Sequence, residues 1–80
     1  MQTYISMLRG INVSGQKMIK MDALRQIYEL LNFSNVKTYI QSGNVVFQSP
    51  NTNCLNVEQA IAQQIKQTFG FEVPVMVKTL

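Results

Sequence analysis

The sequence predicts a small α+β domain in which two helices cover one face of a four-stranded antiparallel sheet. Short segments rich in β-branched and aromatic residues alternate with two segments whose apolar residues recur at helical spacing. Glycine, asparagine and serine separate these segments, as is typical of turns. The resulting order is βαββαβ, the split βαβ pattern of the ferredoxin-like sandwich. We expect residues 1–80 to form one domain of this kind.

Local patterns predict where the six elements begin and end. Asn56 with Gln59 three positions later resembles a capping box and predicts the start of the second helix, while Gly70 predicts its end. Asn32 suits a left-handed end to the first helix, and Ser42-Gly43 fits a tight hairpin turn. The predicted strands are residues 3–8, 36–41, 44–48 and 73–79, and the predicted helices are residues 21–31 and 57–69.

The alternation of side chains along each strand predicts which residues form the core. We expect Ile5 and Met7 of the first strand to point inward, together with Val45 and Phe47 of the third. The opposite face of the sheet, which no helix covers, is apolar for a surface that meets water, so we expect something to pack on it. The residues predicted on this open face are Tyr4, Ser6, Leu8, Tyr39, Val46 and Met76.

The composition argues against several kinds of catalytic and metal site. The chain has no histidine, which excludes His-based zinc sites and Ser-His or Cys-His dyads. Its one cysteine, Cys54, has no partner for an internal disulfide and no imidazole to activate it. Local spacing does not pair any of the four carboxylates as an acid/base couple or a metal site. We therefore expect no metal and no cofactor.

Charge and hydropathy restrict the partners and the location. The net charge of +3 gives a mild preference for anionic partners, but the dense basic stripe of a dedicated nucleic-acid-binding protein is missing. The sequence has no apolar stretch near the ~20 residues that span a bilayer, and its N-terminus lacks a signal-peptide pattern. We expect a cytoplasmic protein without a membrane partner.

The loop after the first strand is the predicted ligand site. Its glycines permit conformations in which successive N–H groups converge, and its basic residues add positive charge, so a phosphate-bearing small molecule is the expected ligand. The loop is not a P-loop, because the lysine spacing and the following Ser or Thr are missing. Alternatively, the glycines only allow the chain to turn. The predicted ligand-binding residues are Arg9, Gly10, Asn12, Gly15 and Lys17 of the loop, with Gln41, Ser42 and Asn44 of the hairpin.

Three segments, LRGINVSGQKMIKM, LNFSNVKTYIQSGNVVF and FGFEVPVMVKT, resemble the N-terminal half of a bacterial family known as domain of unknown function 1697. The pairing of LRGINV with TYIQSGNVVF carries most of the likeness, which extends over nearly the whole chain. Members of that family continue beyond a ferredoxin-like half into a second α/β portion. The resemblance therefore implies that this chain is half of a longer protein, and it supplies no catalytic residues.

Binding or docking is the function that these observations predict. The open face is expected to pack against the missing C-terminal half of the family protein or against a second copy of the chain. An acylphosphatase-like hydrolase is an alternative, in which Arg9 holds a phosphate and Asn44 orients water; it rests on analogy of fold. A weak RNA-binding module is another, in which Tyr4 stacks on a base, although the third strand lacks the matching aromatic and basic pattern.

Overall fold

The computed structural model describes residues 1–12, 15, 17–39 and 43–80. Its sheet has the strand order β2-β3-β1-β4, and all neighbouring strands are antiparallel. This architecture confirms the predicted βαββαβ order and the ferredoxin-like α+β fold. Residues 40–42, which contain the predicted end of the second strand and part of the predicted Ser42-Gly43 turn, lie outside the described residues. The elements are β1 (Gln2–Leu8), α1 (Met21–Leu30), β2 (Ser34–Tyr39), β3 (Asn44–Ser49), α2 (Cys54–Phe69) and β4 (Val75–Thr79).

The start of α2 differs from the prediction. Asn53, not Asn56, is the N-cap residue, and its side-chain oxygen accepts hydrogen bonds from the backbone N–H groups of Leu55 and Asn56 at 3.0 and 3.2 Å. The predicted capping box is therefore wrong, because an equivalent asparagine three residues upstream caps the helix first. The predicted end is confirmed, since Gly70 has a left-handed φ of 81°.

The side chains of β1 point the opposite way from the prediction. Tyr4, Ser6 and Leu8 are buried, so the predicted inward orientation of Ile5 and Met7 is wrong. The antiparallel register explains this result, because Tyr4 pairs directly with Phe47, and paired residues share one face of a sheet. Tyr4 therefore belongs to the core and not to the open face.

An aromatic cluster occupies the centre of the core between the sheet and α1. The ring of Phe47 lies 4.7 Å from Phe33, 5.2 Å from Tyr28 and 5.7 Å from Tyr4, measured between centroids. The Tyr28 hydroxyl shares a buried 2.6 Å hydrogen bond with Ser6, which explains how a serine is accommodated in the core. Both helices contribute apolar residues to this core, namely Leu24, Ile27, Tyr28, Val57, Ile61 and Ile65.

Tyr28 makes the stability of the domain pH-dependent in the alkaline range. Burial raises the pKa of the Tyr28 phenol above its ordinary value of 10.0, and the hydrogen bond to Ser6 opposes this rise. Above about pH 10 the phenol ionises in the unfolded chain but stays neutral in the folded protein. The contribution of Tyr28 to the free energy of unfolding is therefore fully present below about pH 10 and decreases as the pH rises above it. The loss is about 1.4 kcal/mol per pH unit while the two states differ by one proton.

Tyr28→Phe is expected to remove this part of the pH dependence. Urea unfolding of the variant and the wild type between about pH 9 and about pH 12 measures the difference in slope. The lost hydrogen bond to Ser6 adds a pH-independent cost of about 1 kcal/mol, which appears as a constant offset below pH 10. Parallel stability curves across the whole range would contradict this assignment.

Candidate functional site

The two most distinctive sequence segments meet at the end of β1. The backbone N–H of Leu8 donates a 2.9 Å hydrogen bond to the carbonyl of Gly43, and the N–H of Arg9 donates one of 3.1 Å to the carbonyl of Pro74. Gly43 has a φ of +68°, and a Cβ atom built on it would lie 2.6 Å from the Leu8 carbonyl oxygen. The first loop, the hairpin and the residues before β4 are therefore brought together at this end of the sheet.

Asn12 has a structural role in the first loop. Its side-chain oxygen accepts a 2.8 Å hydrogen bond from the N–H of Ile19, and its side-chain amide donates to the Ile19 carbonyl at 3.3 Å. Its own backbone N–H donates to the carbonyl of Lys17 at 3.1 Å. Asn12 and Lys17 both have positive φ, 55° and 50°, in a region that non-glycine residues adopt at a cost. These bonds join Asn12 to Lys17 and Ile19, and they occupy the side-chain amide of Asn12, one of the residues predicted to bind a ligand.

Lys17 points toward α2 and the residues before β4. Its ammonium group donates to the backbone carbonyl of Glu72 at 3.0 Å, and the Glu72 carboxylate is 3.2 Å from the ammonium of Lys66 on α2. Sequence reasoning missed Lys66 and Glu72 as neighbours of Lys17, because only the fold brings these segments together.

Arg9 and Asn44 lie near the end of β1. Arg9 is exposed and lines a depression of about 180 Å³ with Pro74, Val75 and Met76. Asn44 pairs with Met7 of β1 in the sheet. Gln41 and Ser42, which were predicted to complete the site, lie outside the described residues. No contact among the described residues joins the side chains of Arg9, Asn44 and Lys17, and their role in binding an anion stays a prediction.

The open face of the sheet is apolar in its middle. Val46 of β3 pairs with Ile5 of β1, and Met7 of β1 pairs with Met76 of β4. Met76 is 41% exposed, and Tyr39 on the edge strand β2 is 52% exposed. In the structure the open face consists of the side chains opposite the helices. They are Ile5, Met7, Lys37, Tyr39, Asn44, Val46, Met76 and Lys78.

The charges on this face are of one sign. Lys37 pairs with Val46, and Lys78 pairs with Ile5, so a lysine lies on each side of the apolar middle. None of the described strands contains an acidic residue. The carboxylates lie in the helices and in the segment before β4. The open face is therefore an apolar surface with a cationic border.

The described residues form neither a metal-binding cluster nor a membrane-spanning helix. No group of three or more His, Cys, Asp or Glu side chains among them is placed to hold a metal ion. Neither of the helices described has the length and apolar character needed to cross a bilayer.

Comparison with known proteins gives a family and one similar solved structure. The model of the family described as "Protein of unknown function (DUF1697)" matches residues 1–80. The structure of the conserved bacterial protein SP0830 from Streptococcus pneumoniae is similar, with a TM-score of 0.72 and 28% sequence identity. The match covers 98% of this chain and 43% of that chain, so this chain spans less than half the length of that relative. None of the curated proteins matches the chain. Because the family model covers the whole 80-residue sequence, the chain belongs to the family of proteins of unknown function DUF1697.

Proposed function

We propose that this chain is a docking domain that binds a protein partner through its open face. The observation that carries the proposal is the row of apolar side chains at the middle of that face, Ile5, Met7, Val46 and Met76. Helices cover the other face of the same sheet, so packing inside the domain does not account for these residues. Contiguous apolar surface bordered by polar residues is typical of interaction sites.

The partner proposed is the polypeptide that longer members of the family carry beyond the matched region. More than half of the S. pneumoniae relative lies outside its match to this chain, so that relative contains enough further sequence for a second packed unit. The lysines at positions 37 and 78 favour a partner surface that is apolar at its centre and acidic at its border.

The two alternative functions have less support. Base stacking by an RNA-binding module needs exposed aromatic residues on the central strands, whereas Tyr4 and Phe47 are buried. A hydrolase would depend on Arg9 and Asn44, because Asn12 and Lys17 donate their hydrogen bonds within the protein. Docking is the function that the exposed groups favour.

Methionine oxidation tests the docking proposal, since the chain carries methionines both on and off the open face. Met7 and Met76 lie on this face, whereas Met18 is 62% exposed in the first loop. The second part of a family protein, supplied as a separate polypeptide, is expected to slow hydrogen peroxide oxidation of Met7 and Met76 at least about threefold, because bound protein excludes the oxidant. Oxidation of Met18 is expected to stay unchanged. Peptide mass spectrometry measures all three rates in one sample.

A charge placed on the open face provides the matched variant. Val46→Lys is expected to abolish the protection of Met7 and Met76, because the new ammonium group would be buried at the interface without a partner. Leu30→Lys is the control, since Leu30 is 70% exposed on α1 and lies on the helix side of the sheet. Oxidation rates of Met7 and Met76 that do not change when the partner is added in excess would refute the proposal. Protection that appears with the domain alone, as its concentration rises, would instead identify a second copy as the partner.

A further inference from the structure

A groove on the helix side of the sheet has the composition of a ligand site. It lies between α2 and the residues that lead into β4, and its volume is about 590 Å³. Pockets for small molecules commonly measure about 300–1,000 Å³. The apolar part of the lining consists of Ala62, Val73 and Pro74, of which Val73 is nearly fully buried. Gln59 and Gln63 of α2 contribute side-chain amides. The groove is distinct from the open face, because α2 packs against the opposite side of the sheet.

Two ammonium groups meet at one residue in this groove. Lys17 donates to the backbone carbonyl of Glu72 at 3.0 Å, and Lys66 lies 3.2 Å from the Glu72 carboxylate. Glu72 is the only carboxylate among the lining residues, and its charge balances one lysine at most. Lys17 contacts a neutral carbonyl, so its positive charge is not compensated there. The groove therefore keeps a net positive charge beside an apolar wall.

The ion pair in the groove is weak enough for a ligand to replace. The side chains of Lys66 and Glu72 are 61% and 80% exposed. Exposed pairs of this kind contribute about 0–1 kcal/mol, so an anion that contacts Lys66 can displace the Glu72 carboxylate at small cost. The backbone of Lys17 is held in place, because its carbonyl accepts a hydrogen bond from the N–H of Asn12, which is itself bonded to Ile19.

We infer that this groove binds a small molecule that carries a phosphate group on an apolar body. The phosphate would contact the ammonium groups of Lys17 and Lys66, since lysine is a common phosphate-binding residue. The apolar body would lie against Ala62 and Pro74, beside the mostly buried Val73. The amides of Gln59 and Gln63 are available to its polar atoms. This site retains Lys17 from the predicted ligand loop and replaces the other predicted residues with Lys66 and the α2 side of the groove.

Titration with phenyl phosphate, followed by amide NMR, tests the inference. We expect saturable shifts centred on Lys66, Glu72 and Val73. Lys17→Gln and Lys66→Gln are each expected to weaken binding about fivefold, the effect of losing one charge contact. Glu72→Gln is expected to tighten binding about threefold, because the carboxylate no longer competes with the phosphate for Lys66. Inorganic phosphate, which lacks the apolar body, should bind more weakly than phenyl phosphate.

Variants that change the charge by the same amount outside the groove distinguish binding at this site from a nonspecific effect of net charge. Lys37 lies on the open face and Glu29 lies on α1. Lys37→Gln and Glu29→Gln are both expected to leave the affinity for phenyl phosphate unchanged. If Glu29→Gln tightens binding as much as Glu72→Gln, the effect is one of net charge and the inference fails. Shifts centred on Arg9 and Gly10, or shifts that do not saturate, would also overturn it. None of these outcomes affects the docking proposal, because the groove and the open face lie on opposite sides of the sheet.

Discussion

Replacing Phe47 with alanine is expected to lower the free energy of unfolding by about 4 kcal/mol, the largest effect that we predict for a single substitution. Phe47 is fully buried, and three aromatic rings surround it, with the nearest centroid at 4.7 Å. Truncation removes its buried apolar area, leaves a cavity and ends these ring contacts, each worth about 0.5–1.5 kcal/mol beyond area burial. A domain of 80 residues has a total stability of roughly 4–12 kcal/mol, so this loss is a large part of the total, and circular dichroism measures the fraction of the variant that stays folded.

Two further variants keep the Phe47 prediction measurable. Phe47→Leu retains most of the volume and is expected to cost about 1–2 kcal/mol in urea unfolding, which leaves a folded baseline. Val46→Ala is the matched control on the same strand, because Val46 lies on the open face and should cost less than about 1 kcal/mol. If Val46→Ala were as destabilising as Phe47→Ala, the assignment of faces along β3 would be wrong.

The contrast between β3 and β1 shows when the alternation of side chains along a strand predicts which face is buried. In β3 one alternation contains Val45 and Phe47 and the other contains polar residues beside Val46, so the pattern predicts the correct core face. In β1 both alternations are apolar, with Tyr4 and Leu8 on one side and Ile5 and Met7 on the other. The choice depends on the pairing of Tyr4 with Phe47 and on the hydrogen bond between Ser6 and Tyr28. Both contacts join segments distant in sequence, so the local pattern of β1 does not contain them.

The loop after β1 also depends on contacts with segments that are distant in sequence. Charge and glycine content predicted an anion site in this loop with Arg9 and Lys17, and that site stays a prediction; the contacts described there are hydrogen bonds within the protein. The direction of Lys17, however, depends on Glu72, which is 55 residues away in sequence and adjacent only after β4 pairs with β1. Helix ends were predicted better, as at Gly70, because a left-handed glycine at a helix end satisfies a local backbone requirement.

Gly43→Ala is expected to destabilise the domain by about 3 kcal/mol. Gly43 has a φ of +68°, and the added methyl group would lie 2.6 Å from the backbone carbonyl oxygen of Leu8. The left-handed conformation costs a non-glycine residue about 1–2 kcal/mol, and the close contact adds about 1–3 kcal/mol, because the Leu8 backbone is held in the central strand β1. A movement of residue 43 that relieves this contact would also lengthen the 2.9 Å hydrogen bond from the N–H of Leu8 to the carbonyl of residue 43. Urea unfolding at neutral pH measures the change.

Gly10→Ala separates the two causes. Gly10 has nearly the same φ, +73°, but a Cβ atom built there meets nothing within 4 Å. We expect this control to show the conformational cost alone, about 1 kcal/mol, so the difference between the two variants measures the contact with Leu8. Equal losses would mean that the hairpin moves freely away from β1 and that the contact at Leu8 is not tight. A larger loss for Gly43→Ala would show that this glycine is required where the two distinctive sequence segments meet, for reasons of packing that are independent of any ligand.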